Sequence, residues 1–163
     1  MKYLIVFLIS MVPIVELRGA VPIGLSDLFG PPLDIVPLYI ICIIGNMIPV
    51  PFIFFFARKV LEWGANKKWP NSLKWIGSIF KWLLNKGEKG GKKLTSKTGQ
   101  SVYVALMLFV GIPLPGTGAW TGTLAASLLD LDFKKSVVFI ILGVLLAGII
   151  MGLVSAGVFN FIF

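Results

Sequence analysis

The chain contains no histidine and a single cysteine, Cys42, among its 163 residues. Histidine is the commonest general base and the commonest metal ligand, so its absence removes the most frequent routes to catalysis and metal binding. A lone cysteine cannot form a disulfide within the chain, and Cys42 lies in an apolar segment where packing is its expected role. No catalytic Ser/His/Asp arrangement and no phosphate-binding glycine loop is visible. We therefore predict that the protein is not an enzyme and holds no cofactor or metal.

Charge is also scarce. Only 13% of the residues are charged, 57% are hydrophobic, and the mean hydropathy is +0.94. A soluble domain of this length could not bury so much apolar surface. Because a chain in lipid must satisfy its own backbone groups, the composition predicts an all-α integral membrane protein. Its length suits a single membrane domain over residues 1–163.

Two short apolar segments are each interrupted by glycine and proline, at Pro13–Pro22 and at Gly111–Trp120, and each precedes a long apolar span. An offset of 99 residues superposes Gly19-Ala20 on Gly118-Ala119. Helices of about 13 residues rise only about 20 Å, against a hydrocarbon core of about 30 Å. These patterns predict an inverted repeat in which each unit is a re-entrant helical hairpin followed by a transmembrane helix. There are two alternatives. The likeness of the two halves could be due to chance, or all four short segments could cross the membrane fully.

The predicted spans cover residues 34–57, with a kink at Pro49 and Pro51, and residues 133–162. They divide the domain into repeat one at 1–60, a basic linker at 61–98 and repeat two at 99–163. Every lysine and arginine except Lys2 and Arg18 lies in the segment 58–98 or near the turn at 130–135. Positive charge marks the cytoplasmic side, so we expect a multi-pass protein of the plasma membrane with a cytoplasmic linker.

Within the linker, polar residues recur on one narrow face of residues 72–85, and apolar residues cover the rest. This pattern predicts an interfacial amphipathic helix lying on the bilayer. Simple anchoring is the favoured role, and regulation or lipid recruitment is the alternative. Basic residues could also attract nucleic acid, but anionic headgroups are the nearer partner, so we expect membrane lipids and no nucleic acid.

Two charges, Glu16 and Arg18, lie where the first hairpin should turn, deep in the membrane. Ionisable groups at that depth are costly and indicate function, although they could instead neutralise one another or cap broken helix ends. Arg18 offers planar donors to a phosphate or carboxylate, and Glu16 can take up a proton when burial favours its neutral form. The candidate substrate-binding residues are Glu16, Arg18, Gly19, Pro115, Gly116, Thr117, Gly118 and Thr121.

The runs Glu-Leu-Arg-Gly-Ala-Val-Pro at 16–22 and Pro-Leu-Pro-Gly-Thr-Gly-Ala-Trp-Thr-Gly at 113–122 resemble the small multidrug export protein family. More distantly, the chain is similar to the DedA (VTT-domain) superfamily. The DedA resemblance implies two facing re-entrant hairpins and ion-driven transport of polyprenyl-phosphate lipid carriers, with Glu16 and Arg18 as the charged residues of the first hairpin. The arginines that it implies around 109–113 are missing, and glycine and threonine occupy the second tip instead.

We therefore expect a proton- or ion-coupled transporter or flippase for an amphipathic anion, with a polyprenyl-phosphate lipid carrier as the favoured substrate. The first alternative is a small multidrug exporter of cationic hydrophobic compounds, with Glu16 as the counter-charge. The second is a membrane scaffold that transports nothing. Two spans are too few to enclose a pathway, and small residues recur on the last span, so we also expect a homo-oligomer.

Overall fold

The computed structural model describes residues 1–68, 70, 74–82, 85, 100–114 and 116–162. In these ranges the chain forms helices and no strand. The helices are α1 (Lys2–Met11), α2 (Glu16–Leu25), α3 (Ile35–Met47), α4 (Pro49–Asn66), α5 (74–82), α6 (Ser101–Gly111), α7 (Ala119–Leu128) and α8 (Phe133–Ile162). The prediction of an all-helical chain is confirmed for the described residues.

Two helical stretches are long and apolar enough to cross a membrane, Ile35–Asn66 and Phe133–Ser155. The first is α3 followed directly by α4, with the single residue Ile48 between them in helical conformation. Proline has no backbone N–H, so Pro49 and Pro51 interrupt the helical hydrogen bonds where the sequence predicts a kink. The sequence predicted that this span ends at residue 57, but the helix continues to Asn66, because nothing after the prolines prevents further turns.

Both predicted breaks separate short helices. Between α1 and α2, Val12 is extended, as the residue before a proline prefers, and Ile14 adopts a positive φ of 77°. Between α6 and α7, Gly116 and Gly118 have positive φ values of 81° and 144°. Gly19 lies inside α2 whereas Gly118 precedes α7, so the glycine pairing behind the 99-residue offset does not hold. The reason is that the second break is longer than the first.

The helices pack in a crossed pattern. Within each half the first short helix contacts the long helix, α1 on α3 and α6 on α8. The second short helix of each half also reaches the other half: α2 packs on α8 as well as on α3, and α7 packs on α4 as well as on α8. The shared core consists of small and medium apolar side chains, among them Val6, Leu17, Val21, Leu38, Val110 and Ile140. This crossing brings the two breaks together.

Small residues on α8 allow close contacts within the chain. At Gly143 an added Cβ would lie 2.7 Å from the Met107 carbonyl oxygen of α6. At Gly148 it would lie 2.9 Å from the Tyr39 ring, and the Tyr39 hydroxyl donates to the Gly148 carbonyl at 2.7 Å. These glycines therefore serve packing between helices of one chain.

Polar side chains bind the backbone of the turns after α2 and before α8. Lys2 is only 6% exposed, and its ammonium donates to the carbonyls of Ser26 (2.5 Å), Gly30 (3.0 Å) and Pro31 (3.0 Å) after α2. Before α8, Asp132 accepts the Lys135 backbone N–H at 2.9 Å, a typical helix cap. Of the predicted interfacial helix 72–85, residues 74–82 and 85 are helical, and residues 72, 73, 83 and 84 lie outside the described residues.

Candidate functional site

Glu16 begins α2 and is only 4% exposed. Its carboxylate accepts two backbone N–H groups from the other half of the chain, those of Ala119 at 3.1 Å and Trp120 at 3.0 Å. These residues start α7. The first N–H groups of a helix have no partner within the helix, and the helix dipole makes that end positive. Glu16 therefore caps α7 with a full negative charge.

The local sequence explains why α7 needs a cap from so far away. Its N-cap position is Gly118, which has no side chain to accept the free N–H groups. A Cβ at Gly118 would collide with the Glu16 carboxylate. Glycine at this position thus both removes the ordinary cap and opens the space that the carboxylate fills. Sequence alone did not reveal this pairing, because it depends on how the two halves pack.

Arg18, two residues further along α2, contacts the helix end of opposite polarity. Its guanidinium donates to the Leu114 carbonyl, to the Val110 and Ile112 carbonyls at 3.2 and 3.4 Å, and to the Thr117 hydroxyl at 2.9 Å. These acceptors lie at and just after the C-terminal end of α6, where carbonyls lack helical partners and the dipole is negative.

The two charges therefore bind different partners. The negative one caps the positive start of α7 and the positive one caps the negative end of α6, so each charge matches the helix end that it meets. Capping of broken helix ends was one of the alternatives that the sequence left open, and it is the arrangement that the structure contains. Every one of these bonds joins the first break to the second.

The other predicted site residues are placed as follows. The Thr117 hydroxyl contacts the Ile112 and Leu114 carbonyls at 2.8 and 2.9 Å, and Thr121 donates to the Gly118 carbonyl at 3.4 Å. Gly116 is exposed at the tip with open space around it, and Gly19 faces Val15 of its own segment. Pro115 lies outside the described residues. The structure thus brings Glu16, Arg18, Thr117, Gly118 and Thr121 together.

Trp120 is the site residue that sequence reasoning missed. Its backbone N–H binds Glu16, and its indole N–H donates to the Met11 carbonyl at 3.2 Å, at the C-terminal end of α1. Its ring also lines a groove of about 420 Å³ between α4 and α7. The groove is lined by apolar residues, Ile53, Phe56, Ala57, Val60, Leu61, Trp120, Leu124 and Leu128. An aromatic residue directly after the Gly-Thr-Gly-Ala run was the available signal.

Metal chemistry has no visible basis in the described part of the chain, where no three His, Cys, Asp or Glu side chains gather closely enough to hold an ion. The buried thiol of Cys42 lies in the shared core, in agreement with its predicted packing role.

Comparison with known families gives a single finding. The family model described as "Putative small multi-drug export protein" matches residues 16–150, which include both breaks and both candidate spans almost completely. No curated protein and no solved structure matches the chain. The more distant DedA resemblance stays a prediction. With two apolar helices long enough to cross a bilayer and a family match over most of its length, this is a membrane protein, and it belongs to the small multi-drug export protein family.

Proposed function

We propose that this protein exports hydrophobic cations across the membrane and that Glu16 couples export to protons. The observation that carries the proposal is the position of the Glu16 carboxylate, which is buried at the start of α7 beside Trp120, whose ring lines the apolar groove. A buried carboxylate next to an aromatic face is a recognised setting for a positively charged organic ligand. The membership of an export family supports the same class.

The groove supplies the apolar part of recognition. Its lining residues come from α4 and α7, so a hydrophobic compound could enter between these helices from the lipid. The carboxylate keeps hydrogen-bonding capacity and its negative charge, because an ionised carboxylate accepts about four hydrogen bonds and Glu16 receives two from the backbone. A cation drawn into the groove would thus meet the Trp120 face first and the charge behind it.

Protonation of Glu16 provides the coupling step. Hydrogen bonds to an ionised acceptor are roughly twice as strong as neutral ones, so proton uptake weakens the hold of Glu16 on Ala119 and Trp120. The same proton removes the counter-charge of a bound cation. Cation release and loosening of the α7 start would therefore occur together, and proton release would reset both.

The polyprenyl-phosphate interpretation has less support. An incoming anion would have to displace the carbonyl groups and the Thr117 hydroxyl that already bind the Arg18 guanidinium. Arg18 therefore serves as a positioning residue for the end of α6 in this proposal. The transport experiment described below tests both substrates. Transport of neither would favour a scaffold.

The proposal includes the predicted inverted-repeat architecture, and the crossed packing supports it. Each half has a short helix pair around a break and then a long helix, and each second short helix exchanges onto the other half. Such exchange is expected when two inverted units share one site at the membrane midplane. In this arrangement the hairpins are re-entrant, both termini lie outside, and the linker lies in the cytoplasm. Two spans leave the groove side open, so a homo-oligomer would complete the pathway.

Transport in proteoliposomes tests the function. Full-length protein should move tetraphenylphosphonium against its gradient when a proton gradient is imposed, and it should not move a short-chain prenyl phosphate. Glu16→Gln should abolish the proton dependence, and Trp120→Leu should weaken tetraphenylphosphonium binding about tenfold, through loss of the aromatic face. Asp27→Asn is the matched control, because Asp27 is an exposed carboxylate in the turn after α2.

Three results would contradict the proposal. Prenyl phosphate transport that requires Arg18 would favour the flippase. Transport by Glu16→Gln that follows the wild-type pH dependence would remove proton coupling through this residue. No transport of either probe by protein of native helical content would favour the scaffold.

A further inference from the structure

A second candidate site lies far from the breaks, where the end of α4 meets α5. The cleft has a volume of about 510 Å³, and its polar lining consists of Asn66, Lys67, Lys68, Lys74, Ser78 and Lys81. The lysines come from two separate elements. Lys67 and Lys68 follow the last turn of α4, and Lys74 and Lys81 lie two turns apart on the same side of α5.

Packing of the two elements fixes the cleft. Gly64 on α4 lies against the Phe80 ring, which would be only 2.6 Å from a Cβ added at that position. Lys67 extends over the Trp63 ring at 4.4 Å. Positive side chains after a helix end are favoured by the helix dipole, which accounts for Lys67 and Lys68. It does not account for Lys74 and Lys81, which bring like charges into the same concavity from a different helix.

Among the described residues that line the cleft, none is acidic. The nearest acidic residue along α4, Glu62, is paired with Arg58 at 2.9 Å. A concave group of ammonium and amide donors is suited to a phosphate, whose oxygens accept several hydrogen bonds at once.

Tryptophans around the cleft indicate the source of that phosphate. Trp63, Trp75 and Trp82 are exposed at 58%, 61% and 56% of their surface and flank the lysines along α4 and α5. Tryptophan is enriched at the depth of lipid headgroups, where its ring meets the acyl chains and its N–H meets water. We propose that this cleft binds the phosphate headgroup of an anionic phospholipid. The inference is independent of the proposed transport, because none of its residues belongs to the Glu16 site.

Binding of a short-chain phosphatidylglycerol to the full-length protein in a phosphatidylcholine nanodisc tests the site. Lys74→Gln/Lys81→Gln should weaken binding roughly 30-fold, since each lysine near an anionic surface contributes about fivefold to the affinity. Lys134→Gln/Lys135→Gln removes the same charge at the start of α8 and is the matched control. It should change the affinity by less than about threefold, because screening limits exposed charges at a distance. Lys74→Arg/Lys81→Arg should restore binding.

Each remaining outcome overturns the proposal. Equal weakening by the two glutamine pairs would mean a diffuse positive field and no site. Equal affinity for inorganic phosphate and phosphatidylglycerol would identify a soluble anion as the ligand. Competition by phosphatidylcholine as strong as that by phosphatidylglycerol would remove the role of net headgroup charge.

Native mass spectrometry of gently extracted protein provides a second test. It should detect phosphatidylglycerol bound to the wild type and not to Lys74→Gln/Lys81→Gln.

Discussion

The two breaks of the chain contribute opposite kinds of group to one site. The first break supplies charged side chains, Glu16 and Arg18, from the start of α2. The second supplies backbone, namely the free N–H groups of Ala119 and Trp120 and the free carbonyls that end α6. Either break alone would leave groups that need a partner. Facing one another, they satisfy both sets, as buried polar groups require.

The repeat of the two halves stays a prediction, and this difference agrees with the low sequence identity between them. If the halves arose from one unit, the ancestral symmetry survives in helix order and in the crossed packing, and each break has specialised. A charged side chain in one break needs an uncapped helix end in the other break, and a second charged side chain there would not serve. Selection on such a site would therefore drive the two sequences apart while the fold stays alike.

The backbone differs between the breaks as well. Positive φ values occur at Ile14 (77°) and Glu16 (50°) in the first break and at Gly116 and Gly118 in the second. Glycine adopts this conformation without steric cost, but a β-branched residue such as Ile14 does not. The first break thus contains strain that the second avoids, as is common where side chains must be held for function.

The largest expected effect comes from removing the positive charge of the first break. Arg18→Met should lower the free energy of unfolding by about 3–5 kcal/mol, because it leaves the α6 carbonyls unpaired and the Glu16 charge uncompensated. Thermal or denaturant unfolding of the full chain in detergent measures this. Arg58→Met is the control, since Arg58 forms ion pairs with Glu62 and Asp130 at the surface and such pairs contribute about 1 kcal/mol or less. Similar losses in the two variants would refute the capping role of Arg18.

Gly118→Ala adds a side chain to the bare helix end of the second break. The new Cβ would collide with the Glu16 carboxylate, and φ is 144° there, so we expect a loss of about 3 kcal/mol. Gly116→Ala keeps a positive φ but meets open space, so its cost should be only the conformational one, about 1–2 kcal/mol. A Gly118→Ala variant as stable as Gly116→Ala would show that Glu16 does not occupy the space beside Gly118.

Local signals in the sequence were enough for much of this fold. Composition indicated the membrane class, prolines and glycines marked both breaks, and Pro49 marked the interruption between α3 and α4. These features depend on residues close together in the chain, so they can be read without knowledge of packing. The end of α4 was missed because helix continuation into a basic, less apolar segment has no clear local stop.

The partners of Glu16 and Arg18 could not be predicted, because they lie in the other half of the chain. The same charges were expected to bind a substrate directly, which remains a proposal for Glu16. Trp120 was missed for a related reason. Its importance comes from lining a groove with α4, and that contact exists only after α7 crosses to the first half.

The Thr117 hydroxyl allows a test of one hydrogen bond between the two breaks, with a smaller expected loss of stability. It accepts from Arg18 at 2.9 Å and, among the described residues of the second break, is the side chain that binds a charge of the first. Thr117→Val preserves the shape and should lower the free energy of unfolding by about 1 kcal/mol, the usual value for one hydrogen bond. Thr121→Val is the matched control, because within the described part of the chain the Thr121 hydroxyl forms one long hydrogen bond, to the Gly118 carbonyl at 3.4 Å, and its loss should cost clearly less. A larger loss of stability in Thr121→Val than in Thr117→Val would mean that the Thr121 hydroxyl, and not that of Thr117, makes the important polar contact.

The smallest effect should be a gain, obtained by making the first break resemble the second. Ile14 is 84% exposed and contributes little packing, yet it holds a φ of 77°. Ile14→Gly removes a conformational cost of about 1–2 kcal/mol and adds about 0.5–1 kcal/mol of chain entropy, so stability should rise by about 0.5 kcal/mol. Val12→Gly adds the same entropy at an ordinary φ of −74° and should destabilise instead. Opposite signs in the two variants, measured by thermal unfolding, would confirm strain in the first break, and equal losses would show that its backbone is relaxed.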